Sequence, residues 1–280
     1  MTYKAIVSLD IDSTQYMYQD PSQDDASIVL KNILEQLKAN RDVFIVHNTG
    51  RPFPWVCHGE QVTRYLNPII AKPNLLISHG GTVIWQEGGQ EQYQSWRRKI
   101  IDIVKPEMVR KLVEDFEAMG LNIDNETYGN EFKICLRTTP DEHADLIKKI
   151  WSHIQTTYPD KFDVMYWNNT SADITPRGIN KRTALEHLME QEGLKDVPVI
   201  TGGDSMNDSP LLTHPNWKKI VVGNALLELK KMTEGLSNIF QASSHHIAAK
   251  GVLAGLMHYG LIQEQNPETQ KLLLFHQHFE

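Results

Sequence analysis

The stretch Ala5-Ile6-Val7-Ser8-Leu9-Asp10-Ile11-Asp12-Ser13-Thr14 decides how the rest of the chain is read. Its apolar start has the length of a buried strand, about five or six residues, and Ser13-Thr14 read as the turn that leaves it. A side-chain period of two sets the Asp10 and Asp12 carboxylates on one face at the strand's C-terminal end. In an open α/β sheet that end faces the ligand crevice. Two like charges held about 4 Å apart cost roughly 4 kcal/mol at an effective dielectric near 20. A cation, a shared proton or a ligand would relieve that cost. The other reading makes both acids solvated turn residues that cap the following helix.

Three later fragments favour the first reading. Val43-Phe44-Ile45-Val46-His47-Asn48-Thr49-Gly50-Arg51 is a second apolar strand, ending in a hydroxyl, a glycine and a cation. Asn180-Lys181-Arg182-Thr183-Ala184-Leu185 sets a lysine at the start of a helical pattern carried by Ala184, Leu185, Leu188 and Met189. Val197-Pro198-Val199-Ile200-Thr201-Gly202-Gly203-Asp204-Ser205-Met206-Asn207-Asp208 is a third apolar strand that runs into acids at a glycine turn. Each set of chemistry-bearing residues sits at a strand end or a helix start.

Composition narrows the partners. The 280 residues suffice for one large domain or two, and 40% hydrophobic and 22% charged residues are the values of a globular protein. With 28 cations against 35 acids the net charge is −7, and no basic run stands out, so neither nucleic acid nor an anionic membrane surface is expected as a partner. A core strand starting within about four residues of Met1 leaves no room for a signal peptide, and no apolar run approaches the ~20 residues of a membrane span. Cys57 and Cys135 lack metal-like spacing and read as two reduced thiols of a cytoplasmic protein. His245-His246 and His276-Gln277-His278 show no zinc-type spacing with other ligands and read as a solvated loop and a frayed terminus.

Strand-like runs at 5–10, 43–47, 75–78, 197–201 and 219–223 alternate with helical patterns at 26–39, 181–192, 208–213 and 225–232, which predicts βαβ units and a parallel sheet. The texture changes between Gln86 and Ser171. A charged helix is predicted from Pro106 to Met119, a strand at Glu131–Arg137, a helix over Asp141–Thr156 and a strand at Phe162–Trp167. The expected organisation is therefore a doubly wound α/β core, 1–85 and 172–280, with a small α+β module, 86–171, inserted into it.

Taken together and in order, DxD-x-T, TGR, the lysine and GDS-x-ND resemble the haloacid dehalogenase (HAD) superfamily of aspartate-nucleophile phosphohydrolases. The likeness is greatest to the subgroup of Cof-type sugar phosphatases and sucrose-phosphate phosphatases. Weaker marks agree: Ser78-His79-Gly80-Gly81-Thr82, Asp173-Ile174-Thr175-Pro176, Val222-Gly223-Asn224-Ala225, and Ala248–Leu253 followed by Leu256–Gly260 as a last helix. The chain departs from the family pattern at Ser13, where many members have glycine or asparagine, and at His47-Asn48, where small residues are usual.

The resemblance implies a Rossmann-like parallel sheet with helices on both faces and, in the inserted position, a cap of the C2B type. It also implies a phosphomonoesterase that works on a small sugar phosphate through an aspartyl-phosphate. Asp10 would attack phosphorus, and Asp12 would serve as general acid and then general base. Mg²⁺ would be held by Asp10, the Asp12 main-chain carbonyl and Asp204, with Asp208 orienting either Lys181 or a metal-bound water. Thr49, Gly50, Lys181 and Asn207 would surround the phosphoryl group. Arg51 reads equally as a substrate contact or an ion-pair partner, and Lys133 and Arg137, on one strand face, are the cap's candidates for the leaving group. The tryptophans Trp85, Trp96, Trp151 and Trp167 read as packing or as sugar-stacking platforms. Another phosphorylated metabolite, a phosphosugar mutase and a non-catalytic phosphate-binding module stay open as alternatives. So does assembly as a monomer or a weak homodimer.

Overall fold

The computed structural model describes residues 3–17, 20, 23–52, 69–85, 93–124, 129–168 and 170–263, without the side chains of His143, Trp167 and Asn168. The first part of the chain supplies β1 (Ala5–Leu9), α1 (Asp24–Ala39), β2 (Val43–Asn48), β3 (Leu75–Ser78), β4 (Val83–Trp85) and α2 (Gln94–Ile103). A middle part supplies α3 (Pro106–Ala118), β5 (Asn122–Ile123), β6 (Ile134–Arg137), α4 (His143–Thr157), β7 (Phe162–Asn168) and β8 (Ser171–Pro176). The last part supplies α5 (Lys181–Gln191), β9 (Val199–Gly203), α6 (Ser209–Leu212), β10 (Lys218–Val221), α7 (Leu227–Thr233), β11 (Ile239–Gln241) and α8 (Ala248–His258).

Among the described residues the main sheet has the order β11-β10-β9-β1-β2-β3-β4, parallel except for the β3–β4 hairpin edge. Every residue of β1 is buried, as expected for a central strand covered on both faces. Val7 and Leu9 join Leu30, Leu34, Val252 and Leu256, the apolar stripes of α1 and α8, on one face. Ile6 and Val199 join Leu185, Leu188 and Trp96, from α5 and α2, on the other. This is the expected doubly wound core, and it sets the C-terminal ends of β1, β2 and β9 side by side.

A second sheet, antiparallel in the order β5-β6-β8-β7, carries α3 and α4 over a separate apolar core of Leu112, Phe116, Ile134, Ile150, Ile154 and Ile174. Two elements lie next to the limits expected for the inserted module, 86 and 171. The helix α2 had not been read from the sequence; it buries Trp96 and Ile100 against the main sheet, and the Trp96 indole N–H donates to the Gly81 carbonyl at 3.0 Å. At the other end β8 continues the second sheet to Pro176, because Ala172 and Ile174 pair with Leu136 and Ile134 of β6.

The turn His79-Gly80-Gly81 passes close to the start of α5. At Gly81, with φ +105°, a Cβ would stand 2.3 Å from the Asn180 main chain, so only glycine lets the two segments approach. Asn180 itself caps α5: its side chain accepts from the Arg182 and Thr183 amides, and the Thr183 hydroxyl accepts from the Asn180 amide at 3.1 Å. That capping box fixes the first helical residue, Lys181, beneath the end of β1.

Candidate active site

The ladder of β1 stops at Leu9, and Asp10 and Asp12 ride on the turn beyond it rather than on the strand itself. Ser13 adopts the left-handed conformation at φ +54°, a backbone region that glycine and asparagine enter most readily. Asn224 holds this residue by donating to the Ser13 carbonyl at 2.7 Å while accepting from the Ala248 amide at 2.7 Å. The turn separates the two acids. Asp10 faces Lys181, and Asp12 faces Arg51 and Tyr16.

Lys181 is fully buried and donates to Asp10 Oδ1 at 2.9 Å, to Asp208 Oδ1 at 2.6 Å and to Asn207 Oδ1 at 3.3 Å. Those three bonds use all the ammonium's donors. Burial works against its charge, but the carboxylates of Asp10 and Asp208 outweigh burial and hold the ammonium above its ordinary range. Asp208 is engaged at both oxygens, because Oδ2 accepts from the amides of Asp204 and Ser205 at 3.1 and 3.2 Å. Asp208 thus ties the lysine to the loop that follows β9. Asp10 and Asp204 are both raised, first by burial; the Asp208 and Asp12 carboxylates add to this at Asp10, which rises to about 7 despite the lysine's opposing pull, and the Asp208 and Asp10 carboxylates add to it at Asp204.

One ligand atom each from Asp10, Asp204 and Asp208 lies within 4.8 Å of the others, the one such cluster of His, Cys, Asp or Glu among the described residues. Lys181 and the loop amides engage Asp208, and Thr14 donates to Asp204 Oδ1 at 3.0 Å. These bonds leave Asp10 Oδ2 and Asp204 Oδ2 as the carboxylate oxygens best placed for a cation. An all-oxygen set suits a hard divalent ion and lacks the thiolate or imidazole that zinc favours.

Thr49 and Gly50 leave β2 beside the acids. The Thr49 hydroxyl accepts from the Arg51 amide at 3.1 Å, and its carbonyl accepts from Gly80 N at 3.0 Å. Arg51 makes an ion pair here: Nε donates to Asp12 Oδ2 and Nη2 to Asp12 Oδ1, while Nη2 also reaches the Tyr16 hydroxyl at 2.7 Å. Lys133 lies just before β6, buried, paired with Asp173 at 2.8 Å and donating to the Gly50 carbonyl at 3.4 Å. Arg137 is paired with Asp124 at 3.0 Å and donates to the Ser171 hydroxyl at 2.7 Å. Trp96 is core and Trp85 bonds Ser78, whereas Trp151 is exposed and the Trp167 side chain lies outside the described residues. Cys135 is a buried thiol, and Cys57 and 276–278 lie outside the described residues.

Several contacts were not legible in the sequence, although Asn224, Asp173 and Lys133 were marked there as residues. Tyr16, Gln15, Asn224 and the pairing of Asp173 with Lys133 depend on contacts through space. Thr14 stood inside the opening motif and could have been read as a hydroxyl one turn from the acids.

A parallel sheet whose strand ends bring two acids, a buried lysine and a second acid pair together, with an antiparallel module inserted beside it, is a fold shared with a solved structure described as a HAD subclass IIB sugar phosphatase, matched at a TM-score of 0.63 and 17% identity over 92% of this chain and 99% of that one. More narrowly, the chain belongs to the sucrose-6F-phosphate phosphohydrolase family, whose model matches residues 3–260. It is 24% identical over 267 residues to a probable sucrose-phosphatase 3b of Arabidopsis thaliana, covering 92% of this chain and 60% of that protein. It thus spans about three fifths of the plant relative's length. It is 22% identical to the mannosylfructose-phosphate phosphatase of Agrobacterium fabrum, covering 91% of this chain and 97% of that one. The fold matches the sucrose-phosphatase of Synechocystis sp. PCC6803, solved with sucrose and phosphate, at a TM-score of 0.73 and 20% identity over 92% of this chain and 99% of that one. No helix among the described residues is long and apolar enough to cross a membrane.

Proposed function

We propose that this chain is a Mg²⁺-dependent phosphomonoesterase that releases inorganic phosphate from a small sugar phosphate, of the glycosyl-fructose class named for its relatives. The observation that carries the reading is the buried Lys181, bonded at once to Asp10 and Asp208 beside the Asp204 carboxylate. A binding module has no use for a carboxylate so placed, whereas a nucleophile must stand against a phosphate dianion and needs its charge offset. Asp10, Asp204 and the Asp12 carbonyl would hold Mg²⁺, which supplies charge neutralisation between carboxylate and phosphate.

The chain's own residues do the rest. An Asp10 oxygen forms a bond to phosphorus as the ester P–O bond breaks, and Asp12, once the Arg51 fork has released one of its oxygens to carry a proton, delivers that proton to the departing alkoxide. Asp12, now ionised, takes a proton from the water that attacks the aspartyl-phosphate, and phosphate leaves as Asp10 is regenerated. Lys181 gives up its weakest bond, to Asn207, in favour of a phosphoryl oxygen, and Thr49 and the Gly50 amide take others. Lys133 and Arg137 act on the leaving group only through the pairs they already make.

A panel of phosphorylated metabolites assayed with Mg²⁺ tests the reading. Free phosphate is expected from a glycosyl-fructose phosphate, and Asp10→Asn is expected to lose at least roughly a thousandfold in turnover while keeping the fold. Chelation should abolish turnover and Mg²⁺ restore it. An active Asp10→Asn protein, full activity after chelation, or an isomerised sugar phosphate in place of free phosphate would each overturn it.

A further inference from the structure

His47 and Asn48, the last two residues of β2, grip the reaction centre from opposite faces of the sheet. Consecutive strand residues point to opposite sides. His47 continues the face of Val43 and Ile45, and Asn48 that of Phe44 and Val46. Asn48 is buried and its Nδ2 donates to the Lys181 carbonyl at 3.0 Å. His47 is buried among Gln15 and Ala71: its Nε2 is 2.6 Å from the Ala71 carbonyl and its Nδ1 is 3.0 Å from Gln15 Nε2. Gln15 Nε2 also donates to the Asp10 carbonyl at 2.9 Å.

The donors and acceptors of this chain admit one arrangement. Ala71 O and Asp10 O can only accept, so Nε2 of His47 carries the proton and both N–H groups of Gln15 are used, one toward each neighbour. His47 is therefore neutral, with Nδ1 as acceptor. Burial agrees, pulling the imidazole down to about 4. The Asp10 amide donates to Gly202 O of β9 at 3.0 Å, but the Asp204 amide, next in that parallel register, is spent on Asp208 Oδ2 at 3.1 Å, so the Asp10 carbonyl takes Gln15 as its donor.

We infer that Gln15, oriented by His47, and Asn48 are positioning residues: together they fix the main chains of Asp10 and Lys181 so that the carboxylate and the ammonium meet phosphorus in register. The inference rests on Asp10 being the nucleophile. None of the three touches substrate; each acts through Asp10 or Lys181. A main-chain displacement of about 1 Å at a nucleophile costs on the order of a hundredfold in rate, so the brace is expected to act on kcat and to spare KM.

Steady-state kinetics on nitrophenyl phosphate with Mg²⁺ would test it in purified variants whose folding is checked by thermal unfolding. Gln15→Met and His47→Leu are each expected to lose roughly ten- to a hundredfold in kcat with KM within about twofold. His47→Asn, whose Oδ1 can stand in for Nδ1 as the acceptor for Gln15, should recover kcat to within about threefold of the parent. Because His47 acts through Gln15, the double variant Gln15→Met/His47→Leu should be no slower than Gln15→Met alone, while Asn48→Leu, on the other face, should multiply with it. A role in stability alone would leave kcat of the folded fraction unchanged. Parental kcat in folded Gln15→Met, or equal kcat in His47→Leu and His47→Asn, would overturn the brace. Asp10→Asn in the same assay separates the two ideas: if it is active the nucleophile is wrong, and if it is dead while the others are unaffected only the brace is.

Discussion

Asp12 meets a guanidinium rather than a second acid, and that arrangement governs how it can act. The Arg51 fork bonds both carboxylate oxygens, and the Tyr16 hydroxyl donates to Oδ1 at 3.1 Å, so Asp12 is aimed before any substrate arrives and takes up its acid role only once one fork bond is released. A lysine offers one point charge in place of a planar fork and cannot hold both oxygens. Arg51→Lys should therefore mis-aim Asp12 without removing charge from the site. The loss will show where the leaving group needs a proton: roughly ten- to a hundredfold in kcat on a sugar phosphate, and under about threefold on nitrophenyl phosphate, which leaves without one. Equal losses on the two esters would instead make Arg51 a phosphate ligand. The residues that could be read from sequence are those whose chemistry is local: Asp10 and Asp12 two apart, Lys181 one past an N-cap, Asp204 and Asp208 around a glycine turn. Arg51 was legible as a residue but not as a partner of Asp12, since 39 positions separate them and no period in the sequence measures that gap.

At the scale of the element, Lys181 is as good as the first turn of α5. The Asn180–Thr183 box satisfies amides that the helix start would otherwise leave open, and Asn48 takes up the Lys181 carbonyl. Asn180→Ala should destabilise the protein by about 1 kcal/mol, a fall of roughly 2–4 °C in Tm for a chain of this size. It should lower kcat as well, because the same turn aims the ammonium at Asp10. A Tm loss with unchanged kcat would show that the lysine is held from β2 alone. This helix was legible because Ala184, Leu185, Leu188 and Met189 recur at helical spacing behind a polar cap. The elements that were missed lacked such a pattern. In β8 every residue from Ser171 to Pro176 is buried, Asp173 included, so polar and apolar positions do not alternate by exposure. The three residues of β11, Ile239–Gln241, are too short for any period to register. In α2 the run Arg97-Arg98-Lys99 masks the stripe of Trp96 and Ile100, which shows only once the main sheet is there to receive it.

Across the whole molecule, the main sheet and the second sheet meet at a buried charge. Lys133 and Asp173 have side chains only 1% and 5% exposed, and the ammonium also reaches the carbonyl of Gly50, in the loop expected to receive phosphate. The Asp173 carboxylate takes its opposite charge from Lys133, with the Cys135 thiol also hydrogen-bonded to it. Removing one member of such a pair leaves a buried charge unpaired and typically costs about 3–5 kcal/mol, whereas replacing both by apolar groups is often neutral. Lys133→Met is thus expected to lower Tm by roughly 10 °C, and Lys133→Met/Asp173→Leu to recover much of that loss. Activity should follow a different course. The double variant regains stability without regaining the bond to Gly50, so its phosphate loop is no longer tied to the second sheet and its KM should rise on every phosphomonoester alike. Thermal unfolding and steady-state kinetics on the parent, both single variants and the double variant separate these effects. If Tm is insensitive to Lys133→Met, the pair does not hold the seam; if the double variant recovers KM together with Tm, Lys133 acts on stability and leaves the phosphate loop alone.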